Sequence, residues 1–134
     1  MQENVLFYLT PKKDVEYLYG DFTIRQALEK MEYHRYATIP VLDRSTGEYL
    51  ASISEGDILY YLKDRRLSFN ELSDHLISDV TPARKILPIT IDTEIDSLYH
   101  LIISQNYVPI VDDGNRFIGI VTRKSVIEAL LNGK

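Results

Sequence analysis

Two expected helix starts carry the residues best placed to do chemistry. Late in the chain, Thr122-Arg123-Lys124-Ser125 leads into Val126, Ile127 and Leu130, apolar residues at helical spacing. Thr122 is a natural N-cap, so Arg123 and Lys124 fall in the first turn, beside unpaired amides and the positive end of the helix dipole. Cations there lose about 0.3 to 1 kcal/mol relative to acids, whereas a phosphate would meet amides, dipole and two side-chain charges together. The pair reads either as an anion site or as two solvated surface cations. The earlier start, Ser54-Glu55-Gly56-Asp57, precedes Ile58, Leu59 and Leu62. Its Asp57 carboxylate can accept two hydroxyl hydrogen bonds at once, yet Ser-x-x-Asp is equally an ordinary capping arrangement. Lys12 and Lys13 add a third basic point in a loop. The ring of Tyr36 can stack on a base or simply lie half-buried at a strand start.

Other chemistries lack their residues. His34, His75 and His100 lie far apart and cysteine is absent, so neither a metal site nor a disulfide framework is expected. There is no phosphate-binding Gly-rich loop and no nucleophile elbow, and Asp112-Asp113 sits where turn chemistry explains it. With no acid, base and nucleophile set converging, no enzyme is expected. A net charge of −5, from 15 Lys and Arg against 20 Asp and Glu, argues against DNA or RNA as partner. Apolar runs such as Val5 to Leu9 and Phe117 to Val121 are too short to cross a bilayer. Met1-Gln2-Glu3-Asn4 lacks signal-peptide charge, so no membrane association and a cytoplasmic location are expected.

The elements that must position these residues occur twice, offset by about seventy residues. Thr10-Pro11-Lys12-Lys13-Asp14-Val15 matches Thr81-Pro82-Ala83-Arg84-Lys85-Ile86, which sets Lys13 against Arg84. Thr23-x-x-Gln26 and Thr93-x-x-Asp96 read as capping boxes of helices whose stripes are Ile24, Ala27, Leu28, Met31 and Ile95, Leu98, Tyr99, Ile102. Thr38-Ile39-Pro40-Val41-Leu42 and Val108-Pro109-Ile110-Val111 read as strands, with each proline at an edge or beside an unusual contact. Asp43 to Gly47 and Asp112 to Asn115 are hairpin turns leading into Tyr49 to Ile53 and Phe117 to Val121. A helix capped by Ser54 or Thr122 closes each copy. The fold class is therefore mixed α+β, β-α-β-β-α twice, with a first domain over 1–62, a connecting segment over 63–80 that suits a short helix, and a second domain over 81–134. The halves are expected to pack together.

Ile39-Pro40-Val41 with Ser54-Glu55-Gly56-Asp57, and Val108-Pro109-Ile110 with Thr122-Arg123-Lys124-Ser125, resemble the CBS domain family. That family shows the same element order, a hydrophobic-Pro-Val strand and a closing Ser/Thr-x-x-Asp. The resemblance spans Thr10 to Leu131 and implies a tandem pair with pseudo-two-fold symmetry, commonly a homodimer. It further implies a module that binds AMP, ADP, ATP, S-adenosylmethionine or cyclic di-AMP in the clefts between its repeats and passes the binding state to a regulated partner protein. In the family each cleft joins the opening segment and Pro strand of one copy to the last-helix start of the other. Site one would then hold Thr10, Lys12, Lys13, Val15, Tyr36, Ala37, Ile39 and Pro40 with Thr122, Arg123 and Lys124. Site two would hold Thr81, Arg84, Ile86, Tyr107, Val108 and Pro109 with Ser54 and Asp57. Ser125 stands where the family has aspartate, so site one is expected to favour phosphate over ribose. The pattern also looks like small cyclic di-AMP-binding CBS proteins, while Asp57 points to AMP or ATP at site two. The expected function is non-catalytic sensing of an adenine nucleotide. The alternative is a ligand-free dimerisation scaffold with an aromatic contact surface at Tyr8, Tyr60 and Tyr61.

Overall fold

The structure, a computed structural model, describes residues 4–133. Met1, Gln2 and Glu3, and Lys134 at the end of the second copy, lie outside the described residues. The first copy supplies β1 (Thr10–Pro11), β2 (Leu18–Tyr19), α1 (Ile24–His34), β3 (Thr38–Leu42), β4 (Tyr49–Ser54) and α2 (Glu55–Arg65). The second supplies β5 (Ile89–Thr90), α3 (Ile95–Ser104), β6 (Tyr107–Val111), β7 (Phe117–Thr122) and α4 (Arg123–Asn132). The mixed α/β architecture read from the repeat is present in both. Compactness divides the chain differently from the sequence repeat: one unit is Glu16–Lys85, and the other joins the chain up to Val15 to the chain from Ile86 onward.

In the unit Glu16–Lys85, β2 runs parallel to β3 and β3 antiparallel to β4. The Thr23 box forms: the Gln26 amide donates to Thr23 Oγ1 at 3.1 Å and the Thr23 amide to Gln26 Oε1 at 2.9 Å. Ile24, Ala27 and Met31 then turn inward onto Leu18, Ile39, Val41 and Ile53. Arg35 ends α1 in the left-handed region, with the Tyr36 amide donating to Met31 O at 3.0 Å, so the helix closes its own carbonyls. The connecting segment is two 3-10 turns, Phe69–Asp74 and Ile77–Asp79, instead of the expected short helix. Its backbone is spent elsewhere: the Ile77 amide donates to Phe22 O at 2.7 Å, the Ser78 amide to Gly20 O at 3.1 Å, and His75 O accepts from the Ile24 amide at 2.9 Å. Leu72, Ile77 and Val80 are buried in the same core.

In the other unit the sheet order is β1-β7-β6-β5, with β1 antiparallel to β7. Val5, Tyr8, Leu98, Ile102, Val108, Ile110, Val121 and Val126 form its core. The Thr93 box does not form. Glu94 is the N-cap residue of α3, and Thr93 Oγ1 instead accepts from the Thr90 amide at 3.2 Å, so the turn after β5 outcompetes the helix for that hydroxyl.

Both turns are built by aspartate. Asp43 Oδ1 accepts from the Ser45 and Thr46 amides at 2.9 and 3.0 Å, and Asp112 Oδ1 from the Gly114 and Arg116 amides, both at 2.9 Å. The proline strands are not at sheet edges, for β3 and β6 are internal. However, β2 pairs only with Val41 and Leu42, and β5 only with Ile110 and Val111, so Pro40 and Pro109 lie just past the ends of those parallel ladders, where a missing donor costs no bond. The closing-helix stripes are also narrower than expected: Ile58 and Val126 are buried, while Leu59, Ile127 and Leu130 are exposed.

Candidate functional site

Within Glu16–Lys85, β4 delivers Ser54 to the start of α2. Ser54 and Asp57 make a reciprocal box, the Ser54 amide donating to Asp57 Oδ2 at 2.8 Å and the Asp57 amide to Ser54 Oγ at 3.1 Å. The other carboxylate oxygen, Oδ1, accepts from the Ala83 amide at 2.9 Å. The capping reading of Asp57 is thus satisfied, and the same side chain also ties down the second copy's opening segment, which carries Thr81 and Arg84. Each Asp57 oxygen receives one N–H and keeps a further lone pair for a hydroxyl donor. Ala37, at the entry to β3, accepts from the Glu55 amide at 3.0 Å, so the Pro strand and the α2 start are joined directly. Tyr36 is half-exposed and its ring already stacks on His34, centroids 5.4 Å apart and planes 15° from parallel. His34 Nε2 in turn lies 3.5 Å from Glu16 Oε1.

The second unit repeats the arrangement with different chemistry. Thr122 caps α4 by accepting from the Ser125 amide at 3.0 Å, and Asn106 O takes the Arg123 amide at 2.8 Å, as Ala37 O takes that of Glu55. Ser125 Oγ donates to Thr122 O at 2.9 Å, so no carboxylate is present here. The reading of Arg123 as a solvated surface cation is corrected. Its Nε donates to Ile102 O at 2.8 Å and its Nη2 to Ile103 O at 3.1 Å, which are orphan carbonyls at the end of α3. A cation misplaced for one helix dipole is well placed for the other. Lys124 is left as the solvated cation, its side chain 83% exposed and 4.0 Å from Glu128.

Thr10 pairs with Ile120 and Pro11 with Gly119, so Thr10 lies two residues before the Thr122 cap along β7. The antiparallel register carries the chain after Pro11 away from the α4 end, into a turn Lys12–Asp14 where Lys13 is exposed. By unit, Thr10, Lys12, Lys13 and Val15 share a body with Ile86, Tyr107, Val108, Pro109, Thr122, Arg123 and Lys124. Tyr36, Ala37, Ile39 and Pro40 share one with Ser54, Asp57, Thr81 and Arg84. Ile39, Pro40, Val108 and Pro109 are buried strand residues.

Two positions escaped the sequence reading. Gly119, the lone glycine of β7, lies so near β1 that a Cβ there would come 2.2 Å from Thr10 O, and a glycine inside a strand pattern is the signal that announces such an approach. Buried Gln105 holds the second copy's opening from below, its Oε1 accepting from the Leu87 amide at 2.8 Å and its Nε2 donating to Leu87 O at 3.2 Å and Tyr107 O at 3.1 Å. Nothing in its neighbourhood in sequence marks it.

Both opening segments are therefore held by the last strand or last helix of the other copy. The sequence pattern of the CBS domain matches at residues 7–64 and again at 77–132. The chain belongs to the CBS domain family. A solved structure similar to this CBS pair is CbpB in complex with c-di-AMP, at TM-score 0.88 and 25% identity, covering 96% of this chain and 85% of that one. A hypothetical conserved protein from Geobacillus kaustophilus matches at TM-score 0.87 and 26% identity over 100% of both chains. An uncharacterized protein of Methanocaldococcus jannaschii is 26% identical over 135 residues, 92% of this chain; the chain spans 48% of that relative's length. No helix among the described residues is long and apolar enough to cross a membrane. Of the three tyrosines expected to form an aromatic contact surface, Tyr8 and Tyr61 are buried, each 7% exposed, and only Tyr60 faces outward.

Proposed function

We propose that this CBS pair is a non-catalytic sensor of an adenine nucleotide, cyclic di-AMP, AMP or ATP, whose occupancy changes the pair's affinity for a regulated protein. The carrying observation is that the opening segments are held by β7 and by the Asp57 carboxylate at the α2 start. It is supported by the likeness to CbpB, which was solved with c-di-AMP. At the α2 start, Asp57 would accept the ribose diol with the lone pairs left by its two amide donors, beside Thr81 and Arg84. At the α4 start, the amides and Lys124 would meet phosphate, with Thr10 two residues from the cap along β7 and Arg123 holding the helix in place; Lys12 and Lys13, carried away from that end by the β1–β7 register, would not take part. A ligand shifts a partner equilibrium only through differential affinity for two states, so partner binding has to be measured with and without nucleotide.

Isothermal titration with cyclic di-AMP, AMP, ATP and S-adenosylmethionine tests the reading. Binding of one or more of the first three is expected, with Asp57→Asn weakening AMP and Lys124→Ala weakening the phosphate-rich ligands by several-fold. Nucleotide-free protein that binds none of them would leave the dimerisation scaffold as the reading to pursue. That second reading draws on the exposed apolar side chains of α4, Ile127, Leu130 and Leu131.

A further inference from the structure

At the far end of α2 from Asp57, a groove of about 400 Å³ opens between the last turn of the helix and the turn that begins at Phe69. Its floor is fixed, because Leu62 and Leu67 pack against the core of Glu16–Lys85. Its walls are Leu59, 60% exposed, and Phe69, 76% exposed, an apolar area that the fold leaves wet. Lys63 and Arg66 rim it, and neither has a carboxylate within 4 Å among the described residues. In a chain of net charge −5, this rim thus carries two cations without an ion-pair partner, while the neighbouring Glu71 carboxylate is taken up by the Ser68 amide and hydroxyl at 2.8 and 3.1 Å.

We infer that this groove docks an acidic amphipathic segment of a partner protein, its leucine-type side chains entering between Leu59 and Phe69 while its carboxylates meet Lys63 and Arg66. Charge complementarity favours this occupant. An anionic bilayer is disfavoured, since surface attachment draws on clusters of about four to eight cations and an unfavourable net charge must also be overcome. The proposal gives the regulated partner a chemistry and relies on the sensor reading only for the purpose of docking. No residue assigned to nucleotide lines the groove, so titrations without nucleotide separate the two.

The probe is a fluorescein-labelled helical peptide with leucines at i, i+3, i+4 and i+7 and glutamates elsewhere, beside a twin in which lysine replaces glutamate. Wild-type protein should bind the acidic peptide in preference to the basic one, with amide shifts confined to Leu59 through Phe69 in nitrogen-15 spectra. Phe69→Ala should weaken binding about tenfold, as for a buried interface anchor. Lys63→Glu with Arg66→Glu should weaken it more and transfer preference to the basic twin, a rescue that misfolding does not produce. Equal binding of both peptides, no binding, shifts elsewhere, or unchanged affinity in the variants overturns the inference. So does preferential binding to phosphatidylserine vesicles, or a self-association that Phe69→Ala abolishes.

Discussion

The last strands of the two copies, β4 and β7, differ at one position that decides what they can hold. Ala51 of β4 aligns with Gly119 of β7, and only at glycine can another backbone come as close as β1 does. The first opening segment thus joins a sheet, while the second has no ladder with β4 and hangs from Asp57 and Gln105. The helices that precede the Pro strands differ in the same spirit. α1 ends on left-handed Arg35 and satisfies its own carbonyls, whereas α3 ends in extended Gln105 and takes its cap from Arg123. A duplicated fold tolerates different local solutions as long as each backbone polar group finds a partner.

The sharpest break should come from Gly119→Val. The added carbons would meet Thr10 O and the Leu9 side chain, so β1 has to leave the sheet, at a cost of about 3 kcal/mol or more. Urea unfolding measures the loss, and hydrogen exchange should show Thr10 and its neighbours unprotected. Ala51→Gly, the reverse change, should cost only about 0.5 to 1 kcal/mol. Equal effects from the two would erase the contrast.

A second asymmetry is Tyr49, which aligns with Phe117. Burial pushes the Tyr49 hydroxyl up to about 12, partly offset by its hydrogen bond with Ser52 at 2.8 Å. The folded state holds this proton more tightly than the unfolded chain, whose tyrosines titrate near 10. Its stabilisation is therefore intact below pH 10 and fades as pH rises to 12, by about 2 to 3 kcal/mol in all. Tyr49→Phe should flatten that alkaline limb in denaturation curves measured across this range.

What was legible in the sequence was what is decided within a few residues. The Thr23, Ser54 and Thr122 caps and the Asp43 and Asp112 turns rest on side chains bonding to amides two to four positions away. The repeat then gave the element order. Thr93 failed because Thr90, equally close, competed for it. Arg123 looked unpaired because its partners sit some twenty positions earlier, and Tyr8 and Tyr61 looked like surface because tyrosine patterning does not separate a core ring from an outer one. Leu59 and Leu130 failed because helical spacing shows which residues share a face, not how wide a strip the core covers.

Arg123→Ala tests whether that residue is first of all a helix cap. Without any ligand it should destabilise by about 1 to 2 kcal/mol, since two charge-assisted bonds to the end of α3 are lost. Arg123→Lys should recover part of this and not all, because an ammonium cannot span both carbonyls as the planar fork does. A stability unchanged in nucleotide-free protein would return Arg123 to the phosphate role alone.

The smallest effect lies on the acid side and belongs to one unit. Arg44 beside Asp21, with a bidentate contact at 2.7 and 2.9 Å, holds that carboxyl below its usual range; hydrogen bonds from Ser45 and Thr46 do the same for Asp43, and those from Ser68 for Glu71. All three fall within Glu16–Lys85. Each is depressed in the folded state, so its contribution is present above the unfolded value near 4 and is lost as pH falls through the lower folded one. Because all three groups are solvent-exposed, screening keeps the effect small and salt should reduce it further. Hydrogen exchange followed residue by residue from pH 5 to 3 should therefore show α1 and β3 loosening before α3 and β6, and Asp21→Asn should narrow the gap between them.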